Sequence, residues 1–66
     1  MSYTNEFVFE NVKESYKKSE KFCSKMTKAE KVNFQRKVCF AFFSELYGSV
    51  TVKQLCDAME KYEAQG

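Results

Sequence analysis

Three cysteines, Cys23, Cys39 and Cys56, have the most chemistry to offer in this sequence, and their spacing limits it. Thiolates bind soft metals and exchange disulfides. These three stand sixteen and seventeen residues apart, form no CxxC, and have no histidine anywhere in the chain to complete a ligand set. An odd number cannot close a full disulfide framework, which points to a reducing compartment and to thiols that serve as small buried hydrophobes. The lack of histidine also removes the commonest general base and any imidazole pH switch. No nucleophile–base constellation and no glycine-rich phosphate loop stands in the sequence. Tyrosines, lysines and isolated carboxylates define no mechanism by themselves, so the expectation is a protein that is not an enzyme and uses no cofactor or metal.

Lysine is the next candidate. The 66 residues carry eleven bases and nine acids, a net +2, spread unevenly. Residues 13–37 hold nine bases and three acids, a local +6, while 1–12 and 38–66 each sum to −2. Lys21, Lys25, Lys28 and Lys31 fall around the turn of a predicted helical hairpin, where they make one basic end able to meet phosphates or an acidic protein. Arg36 is the one arginine, so nonspecific phosphate contact is better supplied than planar, bidentate readout of base edges. Lysine runs also simply keep a helix solvated, and that plainer reading competes with the functional one.

Aromatic residues are the third candidate. Seven Phe and four Tyr exceed what three short helices need inside, and such residues are favoured at the desolvated centres of protein interfaces. The expected protein-binding residues are Phe7, which projects away from the seam of the first helix, and Phe34 with Val38 on a second flank of the middle helix. Arg36 and Lys37 form their rim. A small core could also absorb these rings through overlap.

The elements that position these groups are helices. Phe9, Val12, Tyr16, Ser19, Cys23 and Met26, widened by Val8, follow a 3-4 spacing that predicts a first helix over about 5–24. Thr27 and Glu30 form a capping box that opens a second over about 28–47, with Gly48 placed to end it in the left-handed conformation. Apolar residues cover most of that helix, leaving a narrow polar wedge at Asn33, Lys37 and Ser44, so it is expected to be the hub between two neighbours or a contact face. Thr51 and Gln54 cap a third helix over about 52–63, with Val50 and Leu55 as a staple and Val52, Leu55, Cys56, Met59 and Tyr62 as its stripe. The stretch from Ala41 to Glu63 has the outline of a helix-turn-helix, but Asp57 and Glu60 on its outer face would repel phosphate.

The expected architecture is therefore all-α: residues 1–66 as a single domain, a small three-helix antiparallel bundle with a long central helix. The N-terminal stretch lacks the features of a secretory signal and no run is apolar enough for a membrane span, so the chain is expected in the cytoplasm. A chain this small, with no disulfide or metal to brace it, gains from burial against a partner. The functional expectation is a small intracellular protein-binding regulator, an inhibitor or adaptor that occludes or bridges a larger macromolecule, with homodimerisation through the same face as its companion. Its size and composition are of the kind that viruses and mobile elements encode. The alternative is a nucleic-acid-binding module that contacts phosphates through the basic turn.

Overall fold

A computed structural model of the chain describes residues 3–65. Met1, Ser2 and Gly66 lie outside the described residues. Three helices form a flattened rod of 39 × 24 × 16 Å: α1 (Asn5–Ser19), α2 (Lys28–Leu46) and α3 (Val52–Gln65), with a 3₁₀ turn at Glu20–Phe22. The all-α three-helix bundle expected from the sequence is thus observed, and α2, at 19 residues, is its longest element.

Local hydrogen bonds explain where each helix starts. The Thr4 hydroxyl accepts from the amide of Phe7 at 3.1 Å and opens α1, with Glu6 in the first turn and Lys17 and Lys18 in the last, as the helix dipole favours. Both expected capping boxes form. The Glu30 amide donates to the Thr27 hydroxyl at 3.2 Å while the Thr27 amide donates back to Glu30 at 2.9 Å; Gln54 and Thr51 make the same exchange at 3.1 and 3.2 Å.

Helix ends depart from expectation twice. The α-helical part of α1 stops at Ser19 rather than running to about 24. There the Ser19 hydroxyl bonds back to the Tyr16 carbonyl at 3.1 Å, a local competitor of the helical ladder, and the chain tightens into the 3₁₀ turn. Cys23 stays buried, so the apolar seam survives the change of winding. At the other junction Gly48 does not adopt a positive φ. Tyr47 takes an extended-side conformation (φ −135°, ψ 57°), its amide still bonded to the Phe43 carbonyl, and a turn bond from the Val50 amide to the Tyr47 carbonyl leads into α3.

The hub is α1, not α2. Its backbone runs close to both α2 and α3, which approach one another less closely. The physical reason is side-chain size. Val8 and Val12 are fully buried and Ser15 and Ser19 nearly so, and these short side chains let both neighbours come near, whereas α2 presents rings that hold α3 off. Val8, Val12, Tyr16, Cys39, Phe43, Leu55, Ala58 and Met59 form the core. Helix α2 runs antiparallel to α1, with Tyr47 beside Phe7 and Gln35 beside Tyr16. Helix α3 runs parallel to α1: Gln54 donates to the Tyr3 carbonyl at one end and the Tyr16 hydroxyl donates to Glu63 at the other.

Candidate functional site

The expected binding residues Phe34 and Val38 meet in a groove between α1 and α2. They are half-buried, one turn apart, and Phe42 continues their line after another turn. From the opposite side Phe22, on the 3₁₀ turn, closes one end and keeps 63% of its surface exposed. Ser15 and Ser19 are the floor, and the cavity of about 200 Å³ exists because these residues are small. Glu14 and Lys18 border the groove on α1, 3.9 Å apart and both exposed. Lys37 is exposed on the next position round α2 from Val38.

Two expected members are placed elsewhere. Phe7, expected to project away, is half-buried: it stacks on Tyr3 with centroids 4.7 Å apart and meets the Tyr47 ring edge-on at 5.1 Å. Tyr47 also meets Phe42, at 5.8 Å, so a chain of rings continues from the groove to Phe7. Arg36, expected at the rim, faces α3 instead. Its Nε and Nη2 donate to the two Glu63 carboxylate oxygens at 3.0 and 2.6 Å, and Tyr16 of α1 donates to the same carboxylate at 2.6 Å. One residue from each helix joins this clamp. The Arg36 hydrogen bonds hold the Glu63 carboxyl below the usual carboxylate range against the opposing effect of burial, and burial with the adjacent carboxylate raises the Tyr16 phenol.

Of the four lysines of the basic turn, Lys21 and Lys25 lie on the connection between α1 and α2 and Lys28 and Lys31 at the start of α2, and acids are interleaved with them. Lys31 pairs with Glu20, which also accepts from Gln35 at 3.3 Å; the Lys31 hydrogen bond holds the Glu20 carboxyl low, and the pair raises the Lys31 ammonium. The Thr27 amide likewise holds Glu30 as a carboxylate. Lys21 lies 5.2 Å from the centre of the Phe22 ring. Lys25 and Lys28 are exposed and make no ion pair among the described residues. In the helix-turn-helix comparison, Gln54 is used by its cap and by Tyr3, and Lys53 pairs with Asp57 at 3.3 Å.

The cysteines do not converge on a metal site: among the described residues no three His, Cys, Asp or Glu side chains stand together. Cys23 and Cys39 are buried and Cys56 half-buried, all as free thiols. Burial pushes the Cys39 thiol up to about 11, so it stays protonated at neutral pH.

Sequence reasoning missed Phe22 as a groove residue, although it continues the i, i+4 line of Glu14 and Lys18 along the border of the cleft. The i, i+4 line Phe34–Val38–Phe42 facing the small pair Ser15 and Ser19 was the available signal. Gln35 was also missed. It is 4% exposed and spends its amide on the Tyr16 carbonyl at 3.2 Å and on Glu20, which a polar residue inside an apolar helix could have announced.

The fold and groove define a small helical bundle with an apolar interhelical cleft. Comparison of the chain with protein-family models, curated proteins and solved structures finds no match. No described helix is long and apolar enough to cross a membrane.

Proposed function

We propose that this chain is a small intracellular protein-binding regulator, an inhibitor or adaptor that occludes or bridges a larger macromolecule, and that the α1–α2 groove is its docking surface. The observation that supports this most is the exposed Phe22 at the lip of a cleft lined by Phe34, Val38 and Phe42. An aromatic lip beside a concave apolar surface with a thin charged border is the composition of an interface centre and its rim. The test compares wild type with Val38→Arg, both checked for unchanged helical circular dichroism, as baits in the source cell's extract at high salt. A protein retained by wild type and lost by the variant is expected; equal retention by both overturns the reading.

Lys25 and Lys28, exposed and unpaired among the described residues, favour a second reading in which the basic turn meets nucleic-acid phosphates. Phosphate binding weakens steeply between about 50 and 200 mM salt through counterion release, whereas an aromatic-anchored protein contact responds far less. The carboxylates of Glu20 and Glu30 among these lysines weigh against this reading. Absence of duplex or single-strand binding at low salt eliminates it.

A further inference from the structure

The end of the bundle where α1 turns back into α2 combines two features that folding does not require. One is charge. Residues 17–28 carry five lysines, Lys17, Lys18, Lys21, Lys25 and Lys28, against one acid, Glu20, whose carboxylate is held by Lys31 and Gln35. All five are exposed, and of these only Lys18 makes an ion pair among the described residues, at 3.9 Å to Glu14. Lysines in the last turn of α1 suit its dipole. Lys28, however, is the first residue of α2, where the dipole repels a cation, so helix stability does not account for it. The other feature is the Phe22 ring, the most exposed among the described residues, at 63% against 37% for Phe40. Lys18 stands one turn before it on the same border of the groove, and the Lys21 ammonium lies over the ring, 5.2 Å from its centroid.

We propose that this tip docks on the surface of a bilayer containing anionic lipid, with the Phe22 ring among the headgroups and the flanking lysines at the level of the phosphates. Charge complementarity and the exposed ring together select this occupant. At a bilayer surface the ring leaves water, while each lysine lays its stem along the apolar layer and keeps its ammonium at the phosphates. No spanning helix is involved. The net charge of residues 17–28 is +4, whereas 1–12 and 38–66 each sum to −2, so positive potential is concentrated at the end that carries the ring. Near an anionic surface each lysine strengthens association by about fivefold, so the cluster supplies a lipid-selective attachment that one ring alone does not. Nucleic acid would use the charge but not the ring. A stacking platform presents the faces of successive aromatic side chains, whereas Phe22 stands alone at the tip and the Lys21 ammonium already covers one of its faces. The inference goes beyond protein docking in the α1–α2 groove, because Phe34, Val38 and Phe42 take no part in it.

Sucrose-loaded vesicles of phosphatidylcholine, with and without about one-third phosphatidylserine, are the probe. Wild type is expected to sediment with the mixed vesicles and not with phosphatidylcholine alone, and to be released as salt rises from about 50 to 500 mM. Replacing Lys25 and Lys28 together by glutamate weakens binding by at least about a hundredfold, and Phe22→Ala by about tenfold. The chain has no tryptophan, so Phe22→Trp places a single fluorescent reporter at the tip. Its emission should move to the blue, and be quenched by brominated acyl chains, only when phosphatidylserine is present. Circular dichroism controls for folding, which substitutions at these exposed positions should leave unchanged. Val38→Arg, which disables the groove, should keep vesicle binding, so the tip and the groove fail separately. Absence of wild-type binding to the mixed vesicles at low salt overturns the proposal, as does binding in which the Phe22→Trp indole stays in water. An indole that responds to a single-stranded oligonucleotide but not to mixed vesicles also overturns it, and assigns the tip to nucleic acid.

Discussion

Glu63→Gln isolates the clamp that ties the three helices together. In the native chain the Glu63 carboxylate receives Nε and Nη2 of Arg36 at 3.0 and 2.6 Å and the Tyr16 hydroxyl at 2.6 Å. Glutamine keeps the shape and one acceptor, but it removes the charge and sets an amide donor against a guanidinium. A fully buried pair broken this way costs about 3–5 kcal/mol and an exposed one about 0–1. Here the Arg36 side chain keeps 43% of its surface exposed and Glu63 22%, while Tyr16 is buried, so about 2 kcal/mol is expected after allowance for solvent screening. For a domain of this size that lowers Tm by about 8–16 °C. The pH dependence has a definite sign. The folded pKa of Glu63 is depressed, so its contribution is complete above the unfolded value near 4.3 and is lost as pH falls through the folded value. Glu20 and Glu30, also held as carboxylates, are present in both proteins and cancel in the difference. Thermal melts followed by circular dichroism at about pH 7 and pH 2 should therefore show a large gap between wild type and Glu63→Gln that closes in acid. Equal melting temperatures at neutral pH, or a gap that persists unchanged at low pH, would refute the electrostatic account.

Other perturbations test separate parts of the description. Gly48→Ala should be neutral or stabilising by about 0.4–1 kcal/mol in denaturant titration, since φ is not positive there and an added Cβ meets only the Ser44 carbonyl at 3.8 Å; a loss above 1 kcal/mol would point to a left-handed glycine. Native-state titration with an aromatic disulfide reagent should modify the half-buried Cys56 first and leave Cys23 and Cys39 until the chain unfolds. Immediate reaction of all three contradicts the burial.

Much of this fold was legible because it is written in local grammar. Thr27 with Glu30 and Thr51 with Gln54 announce helix starts at a range of three residues, and Leu55, Met59 and Tyr62 follow a single period onto the core, whereas Val52, expected to begin that stripe, is 67% exposed in the first turn of α3. The clamp was not legible. Arg36 and Glu63 are 27 residues apart, and a charged residue within an apolar helix reads as rim until the third helix is docked. The end of α1 was hidden for the opposite reason. Its seam continues through Cys23 although the winding changes at Glu20, so apolar spacing alone cannot mark the boundary. Phe34 and Val38 could be placed on one flank, and Phe22, four residues beyond Lys18 and three beyond Ser19, lines the same cleft from the 3₁₀ turn.

The breadth of the apolar surface on α2 links these observations. A helix apolar around most of its circumference ordinarily lies between two neighbours. In this bundle α1 occupies the central place, because Val8, Val12, Ser15 and Ser19 admit closer approach than the rings of α2 do, and α2 buries only Gln35, Cys39 and Phe43. Beside the half-buried Val32, its other large apolar residues divide into two groups. Phe40 and Leu46 are exposed, 37% and 59%, and neither lines the α1–α2 groove. Phe34, Val38 and Phe42 are concentrated at one cleft, with a second helix supplying its floor and lip. Position thus separates the two groups where hydrophobicity does not. Replacing Ser15 by leucine would place volume in the cleft itself, whereas Phe40→Ser would leave it unchanged. A docking function resident in the groove should fail with the first substitution and survive the second, with helical content serving as the control for both.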